Sequence, residues 1–531
     1  MCASKRGAAA SPTRVAIAVR AKTFACAWLL SSAAFATGTE FTTPHRDDAA
    51  GAQSVSFAGQ TFVNHGLVGT GRLSAQTVDF LGDTLGSFSS LGVDKASWRR
   101  VGDHYEGVLW TLPDRGRNDP GAGLFYDYAA RLHRFRIRFT PYTGRPLPAD
   151  VASQNQMRLV PDGGRELRDV RGTPFTGADP GAATKNIGGT LFPVPAQGVG
   201  AGKIAIDSES LSFAADGSFY IGDEYAAYVY LFDGSGRMRG ALVPPNAVVP
   251  HTAGKINFNS LAPPDSGRRN NQGVEGMSLS PDGTRLFVAL QSALVQDTAR
   301  AGDKRDASGR VTLRVLVYDT AQRALPTAPI AHYVMQLPAY TSDGDGGRVN
   351  RTAAQSEIRA LNAHQFLMLA RDANGLGADN EKPIVYKSVL LADTEGATNL
   401  AGGVYETGTE SVLRAQDDTA LKPGIEPIRW TELVDLLNPT QLARFGLNLE
   451  TKPKNRPLTL SEKWEAMDLV SVLDPAHPDD YFLIVGNDND FIARRCVMQK
   501  QRCDSEFDND NMLLVYRLTL PGMQAYATRK R

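Results

Sequence analysis

Three glutamates, Glu209, Glu275 and Glu465, each precede a short apolar run. A second set of charged groups, Asp114-Arg115, Asp223-Glu224, Arg371-Asp372 and Asp488, each follows one. Carboxylates drawn together from separate strands repel one another, which raises the pKa of some or recruits a cation. Hard oxygen donors at flexible spacing favour Ca²⁺ or Mg²⁺ over zinc. We therefore expect a calcium ion among Glu209, Asp223, Glu275, Glu465 and Asp488. Guanidinium suits bidentate capture of phosphate or carboxylate, so Arg115 and Arg371, with Gln291 at the same kind of strand end, are expected to hold a small anionic ester. Asp372 or Glu275 is expected to orient an attacking water. Strand-end caps and ion pairs between neighbouring sheets use the same residue types, so each of these positions also has a purely structural reading.

These side chains need elements to position them, and one stretch shows the plan. In Asn271 to Leu294, Met277 and Leu279 alternate with small polar residues, Pro281-Asp282-Gly283 signals a turn, and Leu286 to Leu290 is a second apolar run. That pattern predicts a β-hairpin with its turn at one end and Glu275, Gln291 and Ser292 together at the other. The grammar recurs at Phe88 to Leu112, Glu209 to Ile221, Ser356 to Leu369 and Glu465 to Val485, each followed by a polar end and an outer strand. The copies are centred on Leu91, Leu211, Met277, Ile358 and Met467, spaced by 120, 66, 81 and 109 residues. Such spacing exceeds a usual propeller repeat and implies insertions or degenerate units. The expectation is an all-β fold, a β-propeller of six blades with five or seven as alternatives, because radial stacking buries both faces of each small sheet. Strand-like pieces are also expected at Thr61 to Val68 and Ala75 to Phe80. Thr431 to Asn438 and Pro439 to Phe445 have helix-like apolar spacing.

In 531 residues, 51 Gly and 30 Pro with 8% aromatics suit many short strands joined by turns. Residues 1–36 differ: Lys5, Arg6, Arg14, Arg20 and Lys22 precede an apolar run from Phe24 to Phe35, and Ala34-Phe35-Ala36 fits a cleavage site. This reads as an export signal, too short to span a membrane. The organisation expected is a signal at 1–36, a flexible mature N-terminus at 37–54, one propeller domain at 55–522 and a tail at 523–531, periplasmic or extracellular and monomeric. Removing the signal leaves 52 basic against 57 acidic residues, with no clustered basic face for nucleic acid and no membrane segment. Cys496 and Cys503 then remain, and are expected to form a disulfide in an oxidising compartment. Gly198 to Lys203 lacks the spacing and the Ser or Thr of a phosphate loop, and Asp504, Glu506, Asp508 and Asp510 lack the Gly and closing Glu of a calcium loop. The eight His are scattered singly, and neither a G-x-S-x-G elbow nor H-E-x-x-H occurs.

Five pieces together resemble the phytase-like family, named for an esterase-like activity of phytase, whose members are exported. They are Pro113-Asp114-Arg115-Gly116, Asp207-Ser208-Glu209-Ser210-Leu211 through Gly222-Asp223-Glu224, Asn271 to Met277 through Gln291-Ser292, Leu369 to Asp372, and Glu465-Ala466-Met467 through Asn487 to Asp490. The likeness covers roughly residues 60 to 520. Ser89-Ser90-Leu91 lacks the Glu of the family's E-G-[LM] form, and Glu209-Ser210 and Glu465-Ala466 lack its Gly. The resemblance implies a propeller-like fold and hydrolysis of a phosphate ester. A calcium-dependent lactonase or carboxylesterase and a non-catalytic binding protein of the cell envelope are the alternatives, since one fold hosts all three.

Overall fold

In the computed structural model, residues 1–3, 39–301, 304–305 and 307–523 are described. Most of the export signal and of the C-terminal tail lies outside them. The chain is all-β, with two short helices, and no helix among the described residues is long and apolar enough to cross a membrane.

After two short strands at Glu40–Phe41 and Gln53–Phe57, a long strand, β1 (Gln60–Leu73), precedes the sheets. The first sheet then runs β2 (Ser90–Val93), β3 (His104–Leu112), β4 (Arg131–Phe139) and β5 (Met157–Glu166), each antiparallel to the last. The second is β6 (Ser208–Phe213), β7 (Phe219–Asp223), β8 (Val229–Phe232) and β9 (Met238–Leu242). The third is β10 (Val274–Leu279), β11 (Arg285–Leu290), β12 (Thr312–Asp319) and β13 (Ala331–Gln336). The fourth is β14 (Ala354–Ala360), β15 (Gln365–Arg371), β16 (Lys387–Asp393) and β17 (Arg429–Asp435). The last comprises β18 (Lys463–Ser471), β19 (Asp480–Asp488) and β20 (Asn511–Thr519), with β1 paired outside β20. A single parallel bridge, Gly71 to Met157, links this sheet to the first.

The first strands of the five sheets are neighbours in sequence order, β2 beside β6, β6 beside β10, β10 beside β14, β14 beside β18, and β18 beside β2. The reason lies in the alternation along each strand. Leu91, Leu211, Met277, Ile358 and Met467 are at most 1% exposed and enter five apolar layers, one between each pair of consecutive sheets. The small polar residues between them take the place of a backbone ladder. Ser90 Oγ accepts from Leu211 N, Ser212 Oγ from Leu279 N and Ser278 Oγ from Ala360 N, each at 3.0 Å.

A buried charge cluster fills the space these strands surround. Arg359 donates to the carbonyls of Met277 (3.1 Å) and Leu91 (2.7 Å) and pairs with Glu357 at 2.9 Å. Asp468 lies 3.5 Å from Arg359 and 2.5 Å from Lys95. Removing one member of such a group leaves its partners buried and uncompensated. Arg359→Met is expected to cost about 3 kcal/mol of unfolding free energy, and a loss below about 1 kcal/mol in denaturant titration would show that the cluster is dispensable.

Five sheets with neighbouring first strands occur among the described residues. Several expectations are corrected. Each sheet gains a fourth strand beyond the three read in its repeat. Ala75 to Phe80 forms turns instead of a strand, and its Asp79 pairs with buried Arg131 at 2.7 Å. Thr431 to Asn438 is not helical. Leu433 is an extra residue against the Val389–Leu390 step of β16, and this bulge gives Trp430, Leu433, Val434 and Leu437 their helix-like spacing. Pro439–Ala443 is a helix. The segment expected to be a flexible N-terminus is tied down, with Glu40–Phe41 pairing Ala339–Tyr340 and Phe41 stacking on Tyr386 at 4.5 Å.

Candidate functional site

The three glutamates reach one place through a shared backbone irregularity. On β6, Ser208 pairs with Asp223 and Ser210 with Gly222, which leaves Glu209 as the extra residue of a bulge. Glu275 on β10 and Glu465 on β18 are extra residues in the same way, and Ser356 holds the position on β14. A bulge re-aims the inserted side chain away from the alternation of its strand. Gly276 follows Glu275 where a Cβ would lie 2.2 Å from the Gln355 side-chain amide, so a larger residue there would have to displace that side chain.

Oxygens of Glu209, Glu275 and Glu465 all lie within 4.8 Å of one another. They line a cavity of about 1110 Å³ with Asp114, Arg115, Gln291, Arg371 and Asp488. The structure thus gathers most of the expected residues. Gln291 Nε2 donates to Glu275 Oε1 at 2.8 Å. Arg371 pairs with Glu465 and donates from Nε to Ser356 Oγ at 3.1 Å. Arg115 bonds Asn271 and lies 3.0 Å from Asp207. Two oxygens of the site, Glu275 Oε2 and Glu224 Oε1, are buried and reached by no described hydrogen-bond donor.

Asp223 and Asp372, expected as metal ligand and water-orienting residue, are not brought into this lining. Asp223 accepts from the amides of Asp207, Tyr225 and Ala226 at 2.8 to 3.0 Å. Asp372 accepts from the amides of Val385 (2.5 Å) and Tyr386 (3.0 Å) and from Lys387 Nζ (2.6 Å). Part of the repeated acidic signal is therefore a turn device. Asp114, Asp223, Asp372 and Asp488 each accept from the amide two residues onward, as in an Asx-turn.

The cavity also takes in Asp207, Glu224, Asn271, Glu462, Lys463 and Asp490, which were not among the expected ligands. Asp207 and Lys463 stand two residues before Glu209 and Glu465, and Asp490 two after Asp488. Asp207 and Asp490 lie just outside the strands and the bulge separates Lys463 from Glu465, so strand alternation gave no signal for them. Lys463 Nζ lies 2.6 Å from Asp490 and 3.2 Å from Asp488.

Thirteen carboxylate residues against five Lys and Arg line the cavity, so its field is negative. Burial pushes Glu209 up well above the usual carboxylate range, with Glu275 the next cause. Burial does the same to Glu275, reinforced by Glu224 and Glu465. Glu224 is raised to about 8 by burial and then by Asp207, and Asp114 to about 7 by the same two causes in the same order. Hard oxygen donors, mutual repulsion and donor-free buried oxygens fit a divalent cation.

The loop between β19 and β20 supplies one wall through Asp504, Ser505, Glu506 and Phe507. As expected, Cys496 and Cys503 are joined there. Val497 and Thr84 exchange two 2.8 Å bonds that dock the loop on the segment preceding the first sheet. Replacing both cysteines by serine is expected to destabilise by about 2 kcal/mol in denaturant titration, from the loop the bond closes. An unchanged unfolding free energy would show that the bond does not hold this wall.

Comparison with known proteins supplies the family. The sequence model of the phytase-like family, described as esterase-like activity of phytase, matches residues 84–491. The chain belongs to this family. A protein of Arthroderma benhamiae described as an uncharacterized secreted protein is 32% identical over 471 residues, covering 82% of this chain and 88% of the relative. Among solved structures, the WD40 repeats of RRP9 align over 89% of this chain and 99% of theirs, at 8% identity and a TM-score of 0.24. A luciferin-regenerating enzyme aligns over 85% and 95%, at 9% identity and a TM-score of 0.27. Likeness that weak carries no argument. For this phytase-like chain, the reading rests on its own geometry.

Proposed function

We propose that this phytase-like protein is an exported, cation-dependent hydrolase of phosphate esters built on a five-bladed β-propeller. The observation that carries the reading is the convergence of Glu209, Glu275 and Glu465 within 4.8 Å, in a cavity that also presents Arg115 and Arg371. A lining so rich in carboxylates repels an anion unless cations offset it, and Arg115 and Arg371, though each is paired to a carboxylate, are the guanidinium groups placed to receive one. Five apolar layers between cyclically neighbouring sheets support the propeller. The secreted relative, the disulfide and the leader sequence support export.

Glu209, Glu275 and Glu465 would hold the ion, calcium in the first instance. When bound, it supplies polarisation of a phosphoryl oxygen. Arg115 binds and orients the anion. Arg371 fixes Glu465, and Gln291 fixes the Oε1 side of Glu275. With its raised pKa lowered by the ion, Glu224, beside Glu275, would accept the proton of the attacking water and pass it to the ester alcohol as the bond to phosphorus breaks.

The test is turnover by metal-stripped protein, with and without added Ca²⁺, of aryl phosphate monoesters and diesters, an aryl acetate and a lactone. Phosphoester hydrolysis that appears on adding the ion supports the reading. Turnover confined to the acetate or lactone overturns it in favour of a lactonase or carboxylesterase. No turnover from protein shown to bind Ca²⁺ overturns it in favour of a binding protein.

A further inference from the structure

We infer that Asp114, Asp207 and Glu209 hold a second divalent cation beside the first, with Glu209 as the carboxylate shared between them. The inference rests on the cation-centred reading above and adds to it a second ion and a bridging residue.

Oxygens of Asp114, Asp207 and Glu209 also lie within 4.8 Å of one another, and Glu209 alone belongs to both this group and the Glu209, Glu275 and Glu465 group. The Glu209 side chain points to a ligand on its own account. Glu209 is 7% exposed, lines the cavity and has no hydrogen bond or ion pair to any described residue. Its neighbours differ in kind. Glu465 has Arg371 and Glu275 has Gln291, whereas the Glu209 carboxylate has no such partner among the described residues. A carboxylate more than nine-tenths buried without a counter-charge is costly, and two cations sharing its oxygens would supply that charge from both sides.

The other two ligands are held in place independently of any ion. Asp114 Oδ1 accepts from Gly116 N at 2.9 Å. Asp207 Oδ1 accepts from Arg115 N at 3.2 Å, and its own amide donates to Asp223 Oδ1 at 3.0 Å. Asp223, absent from the lining, thus acts as a positioning residue for Asp207. Arg115 Nη1 lies 3.0 Å from Asp207 Oδ2, so the second ion and a guanidinium share one carboxylate, and an anion spanning both would meet positive charge at two adjacent points. Paired cations about 3.5–4 Å apart are an established clamp for displacement at phosphorus. The donors are all carboxylate oxygens, which selects a hard cation such as Ca²⁺, Mg²⁺ or Mn²⁺.

Equilibrium dialysis of metal-stripped protein against Ca²⁺, with the bound ion counted by atomic emission, is expected to find two ions per chain. The Asp114→Asn, Asp207→Asn double variant and the Glu465→Gln variant should each retain one, and Glu209→Gln should lose affinity at both sites. One ion in the wild type that vanishes in Glu465→Gln and persists in the double variant overturns the second site while leaving the first. No bound ion at all overturns both. A readout free of variants is the electron paramagnetic resonance spectrum of wild-type protein loaded with Mn²⁺. An exchange-coupled pair supports the bridge, and two isolated Mn²⁺ signals overturn it.

Discussion

Glu275→Gln is expected to lower kcat/KM for an aryl phosphate by about 10²–10³-fold, while raising the melting temperature of the metal-free protein. The two effects have one origin. Glutamine keeps the shape of the side chain and still accepts from Gln291 Nε2, so the bulge on β10 is undisturbed and only a charge is lost. Carboxylates whose oxygens lie within 4.8 Å of one another repel by roughly 3 kcal/mol at an effective dielectric of about 20. Proton uptake relieves most of that, which leaves about 1 kcal/mol for the substitution to recover. Added Ca²⁺ should stabilise the wild type by mass action and the variant much less, so the order of the two melting temperatures reverses. A variant that melts below the wild type without metal would show that Glu275 stabilises the fold and does not strain it. Full activity in the variant would remove Glu275 from the site.

The stability of the metal-free protein is expected to fall as pH rises from about 5 to 8.5, and saturating Ca²⁺ should abolish the fall. Glu224 and Asp114 have folded pKa values raised to about 8 and about 7, and Glu209 and Glu275 are raised as well. Unfolded, such groups release their protons near pH 4. Between these limits the folded state binds more protons than the unfolded state, so unfolding free energy decreases with pH. The stabilisation is fully present below the unfolded pKa and is gone above the folded values. Protons and Ca²⁺ compete for the same oxygens, so Ca²⁺ affinity should rise over the same window. Thermal melts at four or five pH values, with chelator and with Ca²⁺, measure both slopes. A metal-free protein that grows more stable from pH 5 to 8.5 would overturn the account of the carboxylate cluster.

The site was legible in sequence wherever a carboxylate stood at the start of a repeated apolar pair. Glu209, Glu275 and Glu465 were read from that position alone, and the backbone bulges bring them together. The residues after each second strand were harder to read. Asp114 and Asp488 line the cavity, yet Asp223 and Asp372, in the same place in the repeat, have their oxygens occupied by backbone amides. A linear pattern cannot distinguish a carboxylate that closes a turn from one that faces a cavity, because both follow a strand and both are acidic. Fold class followed from the alternation, since Leu91, Leu211, Met277, Ile358 and Met467 all enter layers between sheets. The fourth strand of the last sheet was read at Thr61 to Val68, whereas those of the first and fourth sheets were missed for local reasons. β17 carries a bulge that imitates helical spacing, and β5 is Gly- and Arg-rich, with only Met157 among its ten residues fully buried.

The pairing of β1 with β20 governs the order in which this molecule can assemble. Val63 to Leu73 register against Thr519 to Asn511, so the last sheet is made from the two ends of the folded region. A chain that emerges from its amino end must keep β1 waiting until nearly every other strand has appeared. Ring closure is then a late, long-range event, and contacts of that kind slow folding. Until it happens, β20 is an open edge able to recruit a strand from another molecule. The same holds for a chain trimmed past Leu73, which would keep all the residues of the cavity and still be prone to aggregate.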